Sequence, residues 1–126
     1  MKKAFRFTIL TATCLTVAFL AFSQSKDDSL DVLKVCADTQ KLIFENRFVR
    51  VIDDQVPAGA AEPLHSHPHG VLIYLADCKN EIVTQDGKKS VSELKAGTAI
   101  WVEATVHTVK NIGKTPGHAI RIDVKY

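Results

Sequence analysis

Beyond residue 38 the apolar positions fall in short runs rich in β-branched and aromatic residues, not at helical spacing. Phe48-Val49-Arg50-Val51-Ile52 lies within one such stretch over residues 44–56, which Pro57-Ala58-Gly59 ends. Val71-Leu72-Ile73-Tyr74-Leu75 reads as a buried strand. Ile82-Val83-Thr84 and Ser90-Val91 flank Gln85-Asp86-Gly87-Lys88. Asp-Gly between two such runs predicts a hairpin, because a type I′ turn needs positive φ at both central positions. Residues 98–102, 106–109 and 118–124 continue the series, separated by Lys95-Ala96-Gly97 and by the Asn-, Gly- and Pro-bearing loop 111–117. After residue 23 no long helical period is present apart from an ambiguous stretch at 30–37. Roughly seven or eight short strands about ten residues apart predict an all-β domain, folded as a sandwich or barrel that removes or protects sheet edges. A barrel of that strand number is wide enough to fill with side chains or to hold one small ligand.

The first 23 residues follow another rule. Lys2, Lys3 and Arg6 precede an uncharged, mostly apolar run over residues 7–22, and Ala21-Phe22-Ser23 presents small residues where a signal peptidase reads. This layout predicts a signal peptide over residues 1–23 and a mature chain beginning at Gln24, exported to the periplasm or secreted. The competing reading is an uncleaved anchor, although the run is short of the roughly 20 residues a spanning helix needs. Cys14 sits too early in that run, without a Leu three positions before it, to mark a lipoprotein. Residues 24–38 then form a lead-in, polar over 24–31, to a single domain over 39–126.

Cleavage changes the charge picture. It takes three cations and no anions from a chain of 16 basic and 14 acidic residues, leaving 13 against 14. The mature domain is near neutral and has no basic cluster with interleaved aromatics, which argues against nucleic acid or a membrane surface as partner. A small molecule fits better, and no stable membrane insertion is expected after cleavage. Cys36 and Cys78 are the cysteines left, and in an exported protein they either pair or remain as free thiols.

The chemistry concentrates in Leu64-His65-Ser66-His67-Pro68-His69. On an extended strand His65 and His67 point to the same face, because the side-chain period is two. A shared metal ion accounts for such a pair, neutral imidazole being the commonest protein ligand.

Gly59-Ala60-Ala61-Glu62-Pro63-Leu64-His65-Ser66-His67 resembles the first motif of the cupin family, in which a Gly and five residues precede His-x-His. Gly97-Thr98-Ala99-Ile100-Trp101-Val102-Glu103, followed by His107-Thr108-Val109-Lys110-Asn111, resembles the second. The similarity runs from about Lys41 to Tyr126, and its ending resembles small single-domain cupins. It implies a double-stranded β-helix, a jelly-roll barrel, with His65, His67 and His107 as three metal ligands. It also implies an acidic fourth ligand three or four residues beyond His67, where this chain has Val71 and Leu72. In the second motif Glu103 and Thr105 replace the usual Pro and Gly, and the segment is one residue shorter. Relatives of this type often dimerise through sheet edges, so a homodimer belongs among the expectations.

Three neutral imidazoles without a carboxylate leave an ion's charge uncompensated and its remaining positions open to water or substrate. Such a shell disfavours Mg²⁺ and Ca²⁺ and points to Zn, Fe, Ni, Cu or Co. His69 and Glu103 are alternative additional ligands, and a pocket that binds an organic anion without metal is the competing reading of the trio. His118 is expected at the surface or in a turn, while Trp101 and Tyr74 are expected in the core. Two functions follow: a metal-dependent enzyme of dioxygenase or isomerase type acting on a small molecule, or a non-catalytic metal- or ligand-binding domain. The fold does not choose between them.

Overall fold

The computed structural model describes residues 28–126, so the proposed signal peptide and the first residues of the lead-in lie outside the described residues. The rest of the lead-in is packed. A 3-10 turn at Asp28–Leu30 precedes the one-turn helix α1 (Val32–Val35), whose N-cap Asp31 accepts from the Leu33 amide at 3.0 Å. Val32 and Cys36 close against Ile52 of the barrel, and Val32 and Ile52 have no exposed surface. Full burial of an aliphatic side chain of this size contributes about 1.5 to 3 kcal/mol.

Nine strands follow among the described residues: β1 (Gln40–Glu45), β2 (Val49–Val56), β3 (Ala61–His67), β4 (Gly70–Tyr74), β5 (Cys78–Thr84), β6 (Lys89–Leu94), β7 (Ala99–Val102), β8 (Thr105–Asn111) and β9 (Gly117–Val124). They form a five-stranded sheet in the order β1-β2-β9-β4-β7 and a four-stranded sheet in the order β3-β8-β5-β6. All the pairings are antiparallel, and the predicted all-β double-stranded β-helix is the observed architecture.

Two local expectations change. The apolar stretch 44–56 is interrupted by a turn, because the Asn46 side chain accepts from the amides of Phe48 at 2.8 Å and Val49 at 3.0 Å. No Gly or Pro marks that turn, so the alternation conceals it. The β5–β6 hairpin is present but does not use a type I′ turn. Only Gly87 has positive φ, 85°, and its amide bonds the Thr84 carbonyl at 2.8 Å while the Thr84 amide bonds Lys88 at 3.0 Å. That is a three-residue loop with glycine in the left-handed position.

The five-stranded sheet inverts the usual amphipathic pattern. Along β9, Gly117, Ala119, Arg121 and Asp123 are buried, while Ile120, Ile122 and Val124 alternate with them on the outer face. Register carries an apolar row across all five strands on that face: Phe44, Val51, Ile122, Val71 and Trp101. Trp101, expected in the core, is therefore 55% exposed, whereas Tyr74 is buried as expected. The interior holds as many buried polar as apolar residues, among them Glu62, His65, His67, Arg121 and Asp123.

The close passage of β4 against β9 depends on Gly70, since a Cβ there would stand 2.0 Å from the Ile122 carbonyl oxygen. Backbone cannot yield as a flexible side chain does. Gly70→Ala is expected to cost at least ~2 kcal/mol in urea denaturation; a change under 0.5 kcal/mol would contradict this close approach.

Candidate metal centre

The three predicted histidines converge. His65 and His107 are direct cross-strand partners on β3 and β8, and His67 follows two residues along the same face. The ring centroids are 4.9 Å apart for His65 and His67, 4.8 Å for His65 and His107, and 5.6 Å for His67 and His107. One nitrogen from each ring lies within 4.8 Å of those of the other two. His65 Nε2, His67 Nδ1 and His107 Nε2 are sealed from solvent and have no hydrogen-bond partner. Buried, unpartnered ring nitrogens are costly unless something accepts or donates to them.

A neighbouring carbonyl orients His65: its Nδ1 lies 2.7 Å from the Pro63 oxygen, which can only accept, so Nδ1 is the donor there and Nε2 is the nitrogen left to face the trio. Burial, reinforced by His65 and Arg121, lowers the His107 pKa to about 4. Burial, with Arg121, the other two histidines and Arg50, holds His67 far below the ordinary imidazole range. His67 and His107 are therefore neutral at physiological pH, the form that coordinates metal. Three converging imidazoles, of which His65 and His107 each keep an unpartnered Nε2, fit a divalent transition metal ion.

A second group of potential ligands, Cys36, Glu62 and His65, also lies within 4.8 Å. Here His65 offers the nitrogen already committed to Pro63, so the group acts as a buttress. Cys36 Sγ is 3.4 Å from His65 Nδ1. The Glu62 carboxylate accepts from the Thr39 hydroxyl and from Gln40 Nε2 at 2.9 Å. Burial and the nearby carboxylates of Glu62 and Asp54 push the Cys36 thiol up to about 12. Cys36 and Cys78 are free thiols in separate clusters, so of the two readings of these cysteines the unpaired one is observed.

Neither alternative ligand joins the trio. His69 stacks on Trp101 with centroids 5.5 Å apart, and the Trp101 indole donates to Glu103 at 2.9 Å. At the positions of the missing acidic ligand, Leu72 lines the interior while Val71 faces outward. His118 lies on β9, with Nε2 2.7 Å from Asp53 Oδ1. Asn111 closes the loop after β8, donating to the Val56 and Thr115 carbonyls and accepting from the Gly113 amide.

Acidic groups missed by the motif reading enter from other directions. A register shift in β3 between Glu62 and His65 turns both inward, which strict alternation would forbid. Asp54 on β2 lines the same interior cavity of about 70 Å³ as the trio, with Leu72, Tyr74 and Arg121. Its Oδ1 is sealed and unpartnered, and burial, followed by Glu62, raises its pKa to about 7. The available signal was one acid, Asp54, in alternation with Ile52 and Val56 along β2, and it reads equally well as a charge turned to solvent. Of the trio, His67 also borders a larger open cleft of about 950 Å³, together with Leu30, Ser66, Thr84, Lys88 and Val106.

Comparison with known proteins agrees with this architecture. The cupin domain model matches residues 54–124. A cupin domain from Bordetella pertussis Tohama I superposes with a TM-score of 0.64 at 22% identity, covering 69% of this chain and 92% of that one. A Bacillus halodurans protein gives 0.53 at 20% identity, over 70% and 72% of the two chains. An RmlC-like cupin with a double-stranded β-helix fold from Methanocaldococcus jannaschii gives 0.54 at 16% identity, over 68% and 77%. At these identities the likeness concerns the fold. No curated protein sequence matches the chain. With more than half of its length matched by the family model, the chain belongs to the cupin domain family.

Proposed function

We propose that the protein binds one divalent transition metal, Zn, Fe, Ni, Cu or Co, through His65, His67 and His107, and acts as a metal-dependent enzyme on a small molecule. The observation that carries this reading is the convergence of the three buried imidazoles, with unpartnered Nε2 atoms on His65 and His107, next to the open cleft that His67 borders. A bound ion would supply Lewis acidity. The chain's own residues do the rest. The Pro63 carbonyl fixes the His65 tautomer, Leu72, Tyr74 and Val109 exclude water, and Asp54 exchanges a proton near neutral pH. A carboxyl group that titrates near 7 in the same cavity favours an enzyme over a passive binder, as perturbed acids gather where protons are moved. The metal-binding part of this reading is tested by elemental analysis of the purified protein. About one ion per chain is expected, lost in His65→Ala and His107→Ala and released from wild type as the pH falls toward 4, where His107 takes up a proton. Equal metal content in wild type and both variants would sink the assignment. Turnover of trial substrates that vanishes with the metal separates the enzyme from a non-catalytic binder.

The pH dependence of Asp54 is opposite to that of the histidines. Its pKa rises from 3.8 to about 7 on folding, so between those values the folded state holds a proton that the unfolded state releases. Stability from this residue is therefore highest below about pH 4 and declines as the pH rises through 7. In the metal-free protein Asp54→Asn is expected to gain roughly 2 to 4 kcal/mol relative to wild type at pH 8, and little at pH 4. Equal gains at both pH values would show that Asp54 is not buried as described.

The apolar outer face supports a two-fold homodimer. Among the described residues no element packs over it, and it continues onto the free edge of β1 through exposed Leu42, Ile43 and Phe44. Five strands span roughly 24 Å, the scale of one side of a standard interface of about 800 Å² per partner. A second copy fits because a two-fold axis sets the same apolar face against itself, each copy covering the other. Sedimentation equilibrium is expected to give a dimer, reduced to monomer by Val71→Lys with Ile122→Lys; a monomeric wild type at tens of micromolar would refute it.

A further inference from the structure

Beside His67 lies a chain of charged groups that neither motif contains. Asp123 is fully buried on β9. Its Oδ1 accepts from Arg121 Nε at 2.6 Å and its Oδ2 from Arg50 at 2.8 Å. The other arm of Arg50 donates to Asp31 Oδ2 at 2.7 Å, at the cap of α1. Arg121 also donates to the Pro68 carbonyl at 2.8 Å, one residue beyond the ligand. His67 Nδ1 has no hydrogen-bond partner and stands 3.8 Å from Asp123 Oδ1.

We propose that Asp123 is a positioning residue for His67, holding its Nδ1 proton and so presenting Nε2 to the metal, and that Arg50 ties this arrangement to Asp31 of the N-terminal segment. The inference rests on the metal reading above. A carboxylate oxygen has room for a second donor beside Arg121, and the 3.8 Å separation closes with a small rotation of the imidazole, as unliganded sites commonly tighten on loading. Two guanidinium groups hold Asp123 from opposite sides, so the carboxylate stays while the ring moves. The N-terminal segment is joined to the ligand strand at three points. Asp31 bridges to Ser66, the Ser66 hydroxyl donates to the Leu30 carbonyl at 3.1 Å, and Cys36 touches His65. The segment upstream of the barrel is thereby part of the site's frame. A carboxylate bonded to the outer nitrogen of a ligating histidine fixes its tautomer and strengthens the ligand, and its loss commonly weakens metal binding 10- to 100-fold.

Two measurements on the full chain test this. Long-range ¹H–¹⁵N spectra of the metal-free protein should show His67 as the Nδ1–H tautomer; the Nε2–H tautomer would overturn the proposal. Cobalt titration, read by affinity and by the visible ligand-field bands, should show Asp123→Asn weakened 10- to 100-fold with shifted bands, and Asp31→Asn weakened several-fold. A folded Asp123→Asn with wild-type affinity and spectrum would overturn it. Should that variant not fold, Asp31→Asn at the solvent end carries the test, and unchanged cobalt affinity there overturns the link to the N-terminal segment. A wild type that takes up no cobalt yet keeps the Nδ1 proton defeats the metal reading while upholding the placement of His67 by Asp123.

Discussion

The Asp123 carboxyl group, buried between Arg50 and Arg121, is the constraint around which the five-stranded sheet is organised. Removing such a group from water is costly unless partners replace the lost hydration, and breaking a buried pair by deleting one member costs about 3 to 5 kcal/mol. Here the replacement is complete on both oxygens. Because Asp123 and Arg121 share the inner face of β9 with Ala119, the aliphatic positions Ile120, Ile122 and Val124 are forced outward. The fold accepts an apolar exterior on one sheet so that its interior can stay polar.

That polar interior makes the barrel a site and limits its role as a core. Among the described residues most of the buried apolar side chains gather in two small clusters, one joining the N-terminal segment to Ile52 and the other joining Tyr74, Cys78 and Ala119. Between them the histidines, Glu62, Asp54 and Arg121 surround a cavity too small for more than a few waters. Desolvation then acts in opposite directions on groups of opposite type. It keeps His107 and His67 neutral and therefore able to coordinate, and it raises Asp54 toward neutrality so that it can hold a proton where the histidines do not. One physical effect thus acts on both the histidines and the neighbouring acid.

His107 joined the trio through the resemblance of residues 97–111 to the second cupin motif, whereas His65 and His67 were legible by short-range geometry, sharing a face by strand periodicity alone. The strands between turns were legible for the same reason, except where Asn46 made a turn without Gly or Pro. Glu62 was not, because a bulge suspends the alternation on which inward and outward assignments depend. Nor were the roles of Trp101 and Val71, since an apolar residue on a strand reads as core unless the opposite face is known to carry charge.

An all-β barrel and a histidine pair on one strand face could be read from the residues, because periodicity and turn chemistry are local properties of the chain, and the resemblance to the cupin motifs added His107 and marked the absent acid. The folded chain alone shows which face of β9 is inside, that the N-terminal segment abuts β3, and that Asp123, Asp54 and Glu62 lie around the histidines. Those outcomes depend on pairings between distant strands, where the same alternation serves an inward or an outward charge equally well and only the arrival of Arg50 and Arg121 makes the inward one affordable.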